Sequence, residues 1–456
     1  MSAYPIKSFA VLGAGITGLV AAHRIHQRGH RVRIFEQSGR AGGAVLTERV
    51  GEWLVESGPN SLLSGEPALA SLIEELGLTP QVVHASASAK HRYVVRKSRL
   101  VAAPLSPGAL LASPLFSFGG KLGILSDLVS RPRVRTTDVS LAEFMRGHFG
   151  PEFVDYALDP MVSGVYAGNS ARLSARYAFP KIWEMEQRQG SLIRGQMAQS
   201  KERRLRGEPR PEIFSFKDGV QTLTHALLHG LPPGCVALNA SLEAITPGEK
   251  WSVIWNQADG THTQAFDGLV TALPAHALAR LRIGSLGERP LAALDGVEHP
   301  PVSSLFLGFD RDQVRHPLDG FGMLVPNVEK RSMLGVLFSS SLFPGRAPAR
   351  SVAMTVMIGG TRQPELASRP TDELVRLVVP ELAELLGVNG APRFVRHTYW
   401  PRAIPQYNLG HEQYVSVMTQ VERHHRGLHI GGQARDGISV PACIAAGEKL
   451  ASRAIG

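Results

Sequence analysis

Two stretches, one near each end of the chain, join a short apolar run to a glycine-rich turn and a longer amphipathic run. The first reads FAVLGAGITGLVAAHRIHQRG over residues 9–29 and continues as HRVRIF over residues 30–35. The second, GLHIGGQARDGISVPACIAAGEKLA, covers residues 427–451 and repeats this order. Short apolar runs before glycines predict strands, and longer runs with helical apolar spacing predict helices. Each stretch is therefore predicted as strand, turn and helix, and the first continues into a second strand.

The first turn has the glycine spacing of a nucleotide-binding loop. Its six residues are Gly13, Ala14, Gly15, Ile16, Thr17 and Gly18. The first glycine permits the tight turn, the second lets backbone approach a pyrophosphate, and the third allows close helix packing, while the helix N-terminus adds free N–H groups. Glu36 ends the second strand, where a carboxylate can accept hydrogen bonds from ribose hydroxyls. The pattern predicts a dinucleotide site and leaves NAD and FAD both open.

The motif positions predict an α/β chain with α+β insertions. A Rossmann-like nucleotide-binding domain is assembled from three segments, residues 1–88, 208–282 and 398–456. Residues 89–207 are predicted to be helical and basic. Residues 283–397 contain the strand-like FLGF, GMLVP and SVAMTVMIG and the helical ELVRLVVPELAELL, which predict a substrate domain around a mixed sheet.

The segment between residues 84 and 136 combines a long uncharged run with most of the net positive charge. It holds nine lysines and arginines and one aspartate, and the run LVAAPLSPGALLASPLFSFGG covers residues 100–120. Pro104, Pro107 and Pro114 each remove a backbone donor, which argues against a simple transmembrane helix. Two interpretations stay open: a buried helical hairpin with a solvated basic rim, or a surface that dips into an anionic membrane leaflet or receives a greasy acidic ligand.

Composition narrows the remaining classes of function. The 456 residues are 43% hydrophobic, enough for large cores, and the net charge is +10. No nucleic-acid-reading signature accompanies the charge, so no nucleic-acid partner is predicted. Two cysteines, Cys235 and Cys443, are too few for a disulfide framework or a cysteine metal site, and no metal is expected. Because no export signal is recognisable, we expect a cytoplasmic protein, attached peripherally to the inner face of the cell membrane.

Residues after the second strand separate the two dinucleotides. RAGG, residues 40–43, resembles an extension of the first turn in the flavin-dependent amine oxidase and protoporphyrinogen oxidase group. VESGPNSLL, residues 55–63, and the C-terminal stretch are similar to segments that pass close to the flavin in this group. The resemblance implies FAD as cofactor, with the last helix N-terminus beside the flavin pyrimidine. Beyond the first turn and Glu36, the implied cofactor contacts are Gln37, Arg40, Gly42, Gly43, Gly58, Pro59, Asn60, Ser61, Leu242, Gly432, Ile438, Ser439 and Val440.

The middle of the chain resembles one branch of this group, the haem-pathway porphyrinogen oxidases. The similar phrases include KHRYVV, SGVYAG, FPKIWEME, GSLIRG and GFGMLVP, in order over nearly the whole chain. The resemblance implies that Arg92 pairs with a ring propionate and that the Gly164 carbonyl faces the pyrrole N–H groups. The implied apolar pocket residues are Phe321, Leu324, Leu337 and Met357. Phe338 is the alternative to Leu337, since neighbours along a strand point to opposite faces.

The resemblance also implies a reaction. Protoporphyrinogen IX would be oxidised to protoporphyrin IX by removal of six electrons, in three flavin reductions, each reversed by dioxygen with release of hydrogen peroxide. Coproporphyrinogen III is the alternative substrate, and an amine oxidase or carotenoid desaturase is a more remote alternative. Intact Glu36, Arg40 and Gly42 disfavour a non-catalytic binding protein on this fold.

Several roles stay unassigned at this level. No side chain is assigned as catalytic or as general base, and His91, His397 and His411 are interpreted equally well as surface residues or catalysts. A homodimer and transfer of the product to a ferrochelatase are the remaining expected partnerships.

Overall fold

A computed structural model describes residues 5–284 and 287–456, and the strands of these residues form five sheets. In chain order the strands are β1 Ser8–Leu12, β2 Arg31–Phe35, β3 Thr47–Val50, β4 Trp53–Glu56, β5 Leu62–Leu63, β6 Val82–His84, β7 His91–Arg96, β8 Arg99–Ala102, β9 Ile213–Phe216, β10 Val236–Ala237, β11 Ser241–Thr246, β12 Trp251–Gln257, β13 Gly260–Phe266, β14 Gly268–Thr271, β15 Arg282–Ile283, β16 Val302–Asp310, β17 Gly320–Leu324, β18 Met333–Leu337, β19 Ser351–Gly359, β20 Phe394–Trp400 and β21 Leu428–Ile430.

The helices connect these sheets and form a separate layer in the middle of the chain. In chain order they are α1 Ile16–Gln27, α2 Pro67–Glu75, α3 Pro107–Ala112, α4 Phe118–Ser126, α5 Leu141–Phe149, α6 Pro151–Phe153, α7 Asp159–Tyr166, α8 Ala175–Ala178, α9 Pro180–Gln189, α10 Leu192–Leu205, α11 Gln221–His229, α12 Ala275–Leu278, α13 Ser339–Leu342, α14 Pro364–Ala367, α15 Thr371–Leu386, α16 Glu412–His424 and α17 Val440–Ile455. A π-helical turn, Val154–Leu158, joins α6 to α7.

A five-stranded parallel sheet carries the glycine turns from both ends of the chain. Its strand order is β10-β2-β1-β14-β21, so it draws strands from each of the three segments predicted to build the nucleotide domain. Helices α1 and α17 pack together on one face, where Gly447 lies so close to α1 that a β-carbon there would be 2.6 Å from the Thr17 carbonyl oxygen. An apolar core with Trp251 and Trp255 covers the other face. The glycine turns therefore lie at one edge of a sheet that is buried on both sides.

A seven-stranded mixed sheet is the second large sheet of the fold. Its order is β20-β16-β19-β18-β17-β7-β8, and one face packs on α15 through a core that includes Met323, Val336, Phe338 and Val356. The predicted boundaries cut this sheet in two places. Strands β7 and β8 belong to it although residues 89–207 were predicted to be helical, and β20 spans the boundary drawn between 397 and 398.

The helical layer, α3 to α10, has its own core with Phe144, Leu158 and Trp183. At its centre His148 Nδ1 contacts Asp127 Oδ1 at 2.5 Å, while Arg135 pairs with Glu186 at 2.7 Å. Within the described residues, no helix is both long and apolar enough to cross a membrane. The predicted α/β class, with a three-segment nucleotide domain, a mixed sheet and a helical layer, is confirmed.

Candidate functional site

The first glycine turn is shaped by its own backbone. Gly13 takes φ +96° and donates its N–H to the Phe35 carbonyl oxygen at 2.8 Å, which bends the chain sharply out of β1. A β-carbon on Gly18 would overlap the Gly13 carbonyl oxygen, so α1 reaches this close to the turn only with glycine there. The two glycines therefore bring the start of α1 against the end of β1.

Gly15 lies at the N-terminus of α1 and faces open space. It is the N-cap residue, no side chain caps the helix, and a β-carbon built on it meets no other atom within 4 Å. The N–H groups of the first helical turn point the same way, because helix geometry leaves them without intrahelical acceptors. This gap, lined by N–H groups and free of side chains, fits a diphosphate.

Glu36 closes the turn from the side of β2. Its Oε2 accepts a hydrogen bond from the Ala14 N–H at 2.9 Å, and its Oε1 accepts from Ser38 N–H at 2.9 Å and from Ser38 Oγ at 2.7 Å. The carboxylate is half-buried and next to the exposed Gln37. The start of β11 is tied to it, since Ala240 N–H donates to the Glu36 carbonyl oxygen at 2.8 Å, and Leu242 follows two residues later.

The RAGG segment packs directly on the first turn. Gly42 N–H donates to the Ala14 carbonyl oxygen at 2.8 Å, and a β-carbon on Gly43 would lie 3.1 Å from Gly15 Cα. The Arg40 guanidinium donates to the carbonyl oxygens of Gly43 and Val45, and burial lowers the pKa of Arg40. Arg40 therefore holds the second glycine segment in shape by binding its carbonyl groups.

Two further segments hold the other residues predicted to contact the cofactor. A β-carbon on Gly58 would overlap the Ala44 carbonyl oxygen, and the Asn60 amide donates to the Gly58 carbonyl oxygen at 3.0 Å, with Pro59 and Ser61 beside it. Gly432 turns at φ +104° after β21. Ser439 caps α17 through its Oγ, which accepts from Ala442 N–H at 3.2 Å, so Ile438 and Val440 flank the N-terminus of that helix.

Three residues predicted for the substrate, Leu324, Leu337 and Met357, lie on one face of the seven-stranded sheet, opposite the α15 core. Leu324 pairs with Gly335 across β17 and β18, and Gly335 pairs with Met357 on β19. Leu324, Leu337 and Met357 are each partly exposed, whereas their strand neighbours are buried. These three side chains therefore form a partly open apolar face.

Three further predicted residues, Arg92, Phe321 and Gly164, border this apolar face. The Arg92 guanidinium carbon lies 5.8 Å from the centre of the Phe321 ring, and both side chains are accessible. Gly164, on α7, packs against Leu324 so closely that a β-carbon would be 2.6 Å from Leu324 Cδ2. The alternative choice of Phe338 over Leu337 is wrong, because Phe338 is fully buried in the α15 core.

Arg362 holds α7 in place although no local sequence signal marks it. Arg362 donates to Ser163 Oγ at 2.6 Å, to Asp159 Oδ2 at 3.2 Å and to the Val325 carbonyl oxygen at 2.9 Å, which ties α7 to the end of β17. Burial raises the pKa of Asp159 and lowers that of Arg362. An arginine in a loop is ordinary in sequence, and only the fold shows its three partners.

The three histidines left open have distinct environments. His91 is exposed, whereas His397 is partly buried and bonds to Ser303 Oγ at 2.7 Å and to Thr371 Oγ1 at 3.0 Å. His411 is buried and donates to the Ala434 carbonyl oxygen at 3.0 Å, so its interpretation as a surface residue is wrong. Burial lowers the pKa of His411 to about 4.

The glycine turns on the parallel sheet and the apolar face of the mixed sheet together define a nucleotide-dependent oxidoreductase. The family described as flavin containing amine oxidoreductase matches residues 16–455, and the chain belongs to this family. Its cofactor is FAD, as predicted, and the prediction of an FAD-dependent oxidoreductase is confirmed.

Individual relatives narrow the comparison. Protoporphyrinogen oxidase 2 of Arabidopsis thaliana is 33% identical over 98% of this chain and 94% of its own length. Coproporphyrinogen III oxidase of Staphylococcus aureus is 26% identical over 98% of this chain and 99% of its own. A crystal structure of a protein from Exiguobacterium sp. 255-15 superposes with a TM-score of 0.83 at 22% identity, covering 99% of both chains, and so has the same fold. The predicted resemblance to protoporphyrinogen oxidases is confirmed.

Proposed function

We propose that the protein oxidises protoporphyrinogen IX to protoporphyrin IX in haem biosynthesis, with dioxygen as the electron acceptor. The observation that carries the proposal is the pairing of Arg92 with Phe321 at the border of an apolar face formed by Leu324, Leu337 and Met357. A porphyrinogen is a large, mostly apolar ring with carboxylates at its edge, and it needs an apolar surface with a cation beside it. The identity to plant protoporphyrinogen oxidases over nearly the whole chain supports the same substrate.

The residues predicted from the sequence would hold the cofactor. Bound FAD supplies the redox chemistry by accepting hydride from the substrate. The Gly13–Gly18 turn would hold the diphosphate, Glu36 the ribose, and the N-terminus of α17 the flavin pyrimidine. The open space at Gly15 and the uncapped start of α1 support this assignment.

The substrate side relies on orientation by this chain's own residues. Arg92 would bind one propionate, and its planar fork orients the ring edge. The apolar face would exclude water from the ring, and the absence of a side chain at Gly164 lets Leu324 of this face pack against α7. No side chain is assigned as general base.

Coproporphyrinogen III is the second candidate substrate, because coproporphyrinogen III oxidases from two bacteria match nearly the whole chain. The two rings differ in their carboxylates, two propionates against four. The test is oxygen consumption by the purified protein with each porphyrinogen. Preference for protoporphyrinogen supports the first assignment, and preference for coproporphyrinogen replaces it while leaving the flavin chemistry intact.

Peripheral attachment to an anionic membrane is part of the proposal. The segment from residue 105 to 134 exposes large apolar side chains, which are Leu105, Leu111, Phe118, Leu122, Leu125, Leu128, Val129 and Val134. We call this set the apolar surface. Lys121, Arg131 and Arg133 lie in the same segment, and cations beside exposed apolar side chains favour an anionic lipid surface. The cytoplasmic location, a homodimer and transfer of product to a ferrochelatase stay predictions.

A further inference from the structure

Gln406 and Tyr407 are adjacent, buried residues whose side chains contact two different parts of the site. They are 1% and 5% exposed. The Gln406 amide nitrogen donates to the Tyr166 carbonyl oxygen at 2.8 Å, at the C-terminus of α7. The Tyr407 hydroxyl donates to the Gln433 carbonyl oxygen and accepts from Gly437 N–H at 2.9 Å. Both of these latter groups lie in residues 432–439, which precede α17 and which we call the flavin loop.

The contact with α7 satisfies a helix end. The last carbonyl groups of a helix have no intrahelical donor, and Ala167 turns into the left-handed region directly after Tyr166. The Gln406 side chain supplies the missing donor. A β-carbon on Gly168 would overlap Gln406 Oε1, so the amide is packed tightly at this point.

His411 adds a second side-chain contact with the flavin loop. The His411 ring stacks on the Tyr407 ring with centres 4.3 Å apart and donates to the Ala434 carbonyl oxygen at 3.0 Å. Three backbone groups of the loop are therefore bound by two neighbouring side chains. The loop has little freedom to move relative to Tyr407 while these bonds persist.

The backbone of the pair is itself fixed at both residues. Gln406 N–H donates to the Glu298 carbonyl oxygen at 2.9 Å, and the Tyr407 carbonyl oxygen accepts from Ser174 N–H at 2.8 Å. Because the two residues are consecutive, the end of α7 and the flavin loop are joined through a single peptide unit and two side chains.

We propose that Gln406 and Tyr407 are positioning residues that set the distance between α7, which carries Gly164, and the flavin loop. The inference rests on the proposed function, in which substrate lies beside Gly164 and flavin beside the loop. Hydride transfer requires the donor carbon and the flavin at close range and correct angle. Neither residue needs to touch the substrate, because each acts through the backbone that it holds.

The test compares three single variants as holoenzymes. Tyr407→Phe removes the hydroxyl and keeps the ring on His411, while Gln406→Met removes the amide at similar size. Tyr414→Phe is the matched control, since the Tyr414 ring also lies against His411, with centres 5.7 Å apart, from α16. The readouts are the flavin absorption spectrum, the flavin midpoint potential, and the rate of flavin reduction by protoporphyrinogen or coproporphyrinogen without oxygen.

We expect Tyr407→Phe to change the spectrum and midpoint potential of the substrate-free protein, and Tyr414→Phe to leave both as in the parent. Gln406→Met should keep the parent spectrum and FAD content but slow flavin reduction at saturating porphyrinogen by roughly 10- to 100-fold. If Gln406→Met does not fold, Gly168→Ala displaces the same amide and takes its place.

An unchanged spectrum and potential in Tyr407→Phe would overturn the role of Tyr407, and an unchanged reduction rate in Gln406→Met or Gly168→Ala would overturn the role of Gln406. Failure of the proposed function is distinguishable from both. In that case neither porphyrinogen reduces the parent flavin, while the spectral comparison of Tyr407→Phe with Tyr414→Phe still decides the contact with the flavin loop.

Discussion

Leu324 Cδ2 lies 2.6 Å from the point where a β-carbon on Gly164 would stand. This closeness sets how near α7 comes to β17. An alanine at position 164 forces Leu324 to move, and the apolar face narrows or shifts.

We therefore expect Gly164→Ala to keep its FAD and to lose activity roughly tenfold, mainly through a raised KM. Steady-state oxygen consumption measures this. Gly147→Ala is the control, because a β-carbon on Gly147 in α5 meets no other atom within 4 Å. Replacing Leu324 with the shorter valine in the Gly164→Ala protein should restore part of the activity. Parent kinetics in Gly164→Ala would remove this glycine from the substrate site.

Gly15→Leu should yield a folded protein without flavin. Gly15 has φ −71°, which any residue adopts, and its β-carbon would point into open space. The leucine side chain would then fill the gap proposed for the diphosphate. Absorbance near the flavin bands after gel filtration reports occupancy, and circular dichroism reports folding. Gly147→Leu serves as the helix control, and full flavin occupancy in Gly15→Leu would contradict the assignment.

Arg92→Ala should raise KM without changing flavin content. A charge-assisted hydrogen bond contributes about 1.5 kcal/mol, which corresponds to about a tenfold change in KM. Arg92→Lys should recover only part of this, since lysine lacks the bidentate fork. Arg99→Ala, which removes an exposed arginine on the neighbouring strand β8, controls for general loss of positive charge. Equal effects of the two alanine variants on KM would show that Arg92 acts only through the overall electrostatic field of the protein.

The glycine turns were predictable from sequence because their causes are local. The first strand and helix lie within a few residues of the predicted positions, since an apolar run, three glycines and a terminal acid act over a short stretch. The sequence does not predict β7 and β8 as part of the large sheet, because β7 joins it through β17, more than 200 residues later, and β8 joins it only through β7. No sequence pattern marks Gln406 and Tyr407. Their hydrogen-bond partners lie in α7 and the flavin loop, which only the tertiary fold brings together.

Glu56 should make the stability of the protein depend on pH near neutrality. Burial raises the pKa of Glu56 from 4.5 to about 7, although Thr47 Oγ1 at 2.6 Å and Val220 N–H at 2.8 Å donate to its carboxyl group. Between these values only the folded protein holds the proton, so this contribution to the free energy of unfolding declines as pH rises from about 4.5 to about 7.

Glu56→Gln removes the titration and should be more stable than the parent at pH above 7 by roughly 1 to 3 kcal/mol. At pH near 5 the two proteins should unfold at similar temperatures. Thermal unfolding at both pH values measures the difference, and Glu52→Gln, an exposed neighbour, should show no such trend. A Glu56→Gln protein that is less stable than the parent above pH 7 would show that the charged carboxylate is favourably paired, through Arg346 at 4.0 Å.

Membrane attachment should depend on the apolar surface and on salt. Phe118 and Leu122 lie one turn apart on α4 and are 78% and 52% exposed, so a single helix face presents both to a lipid surface. The double variant Phe118→Ser/Leu122→Ser should lose flotation with anionic vesicles, because the apolar contribution to binding scales with the buried area. The matched control is Met197→Ser/Leu205→Ser on α10, whose side chains are equally exposed but lie outside the apolar surface. Raising salt should weaken binding of the parent without abolishing it, since screening affects only the charges.

A parent protein that stays unbound to anionic vesicles at low salt would contradict peripheral attachment, and equal loss in both double variants would show that exposed apolar area anywhere on the helical layer suffices.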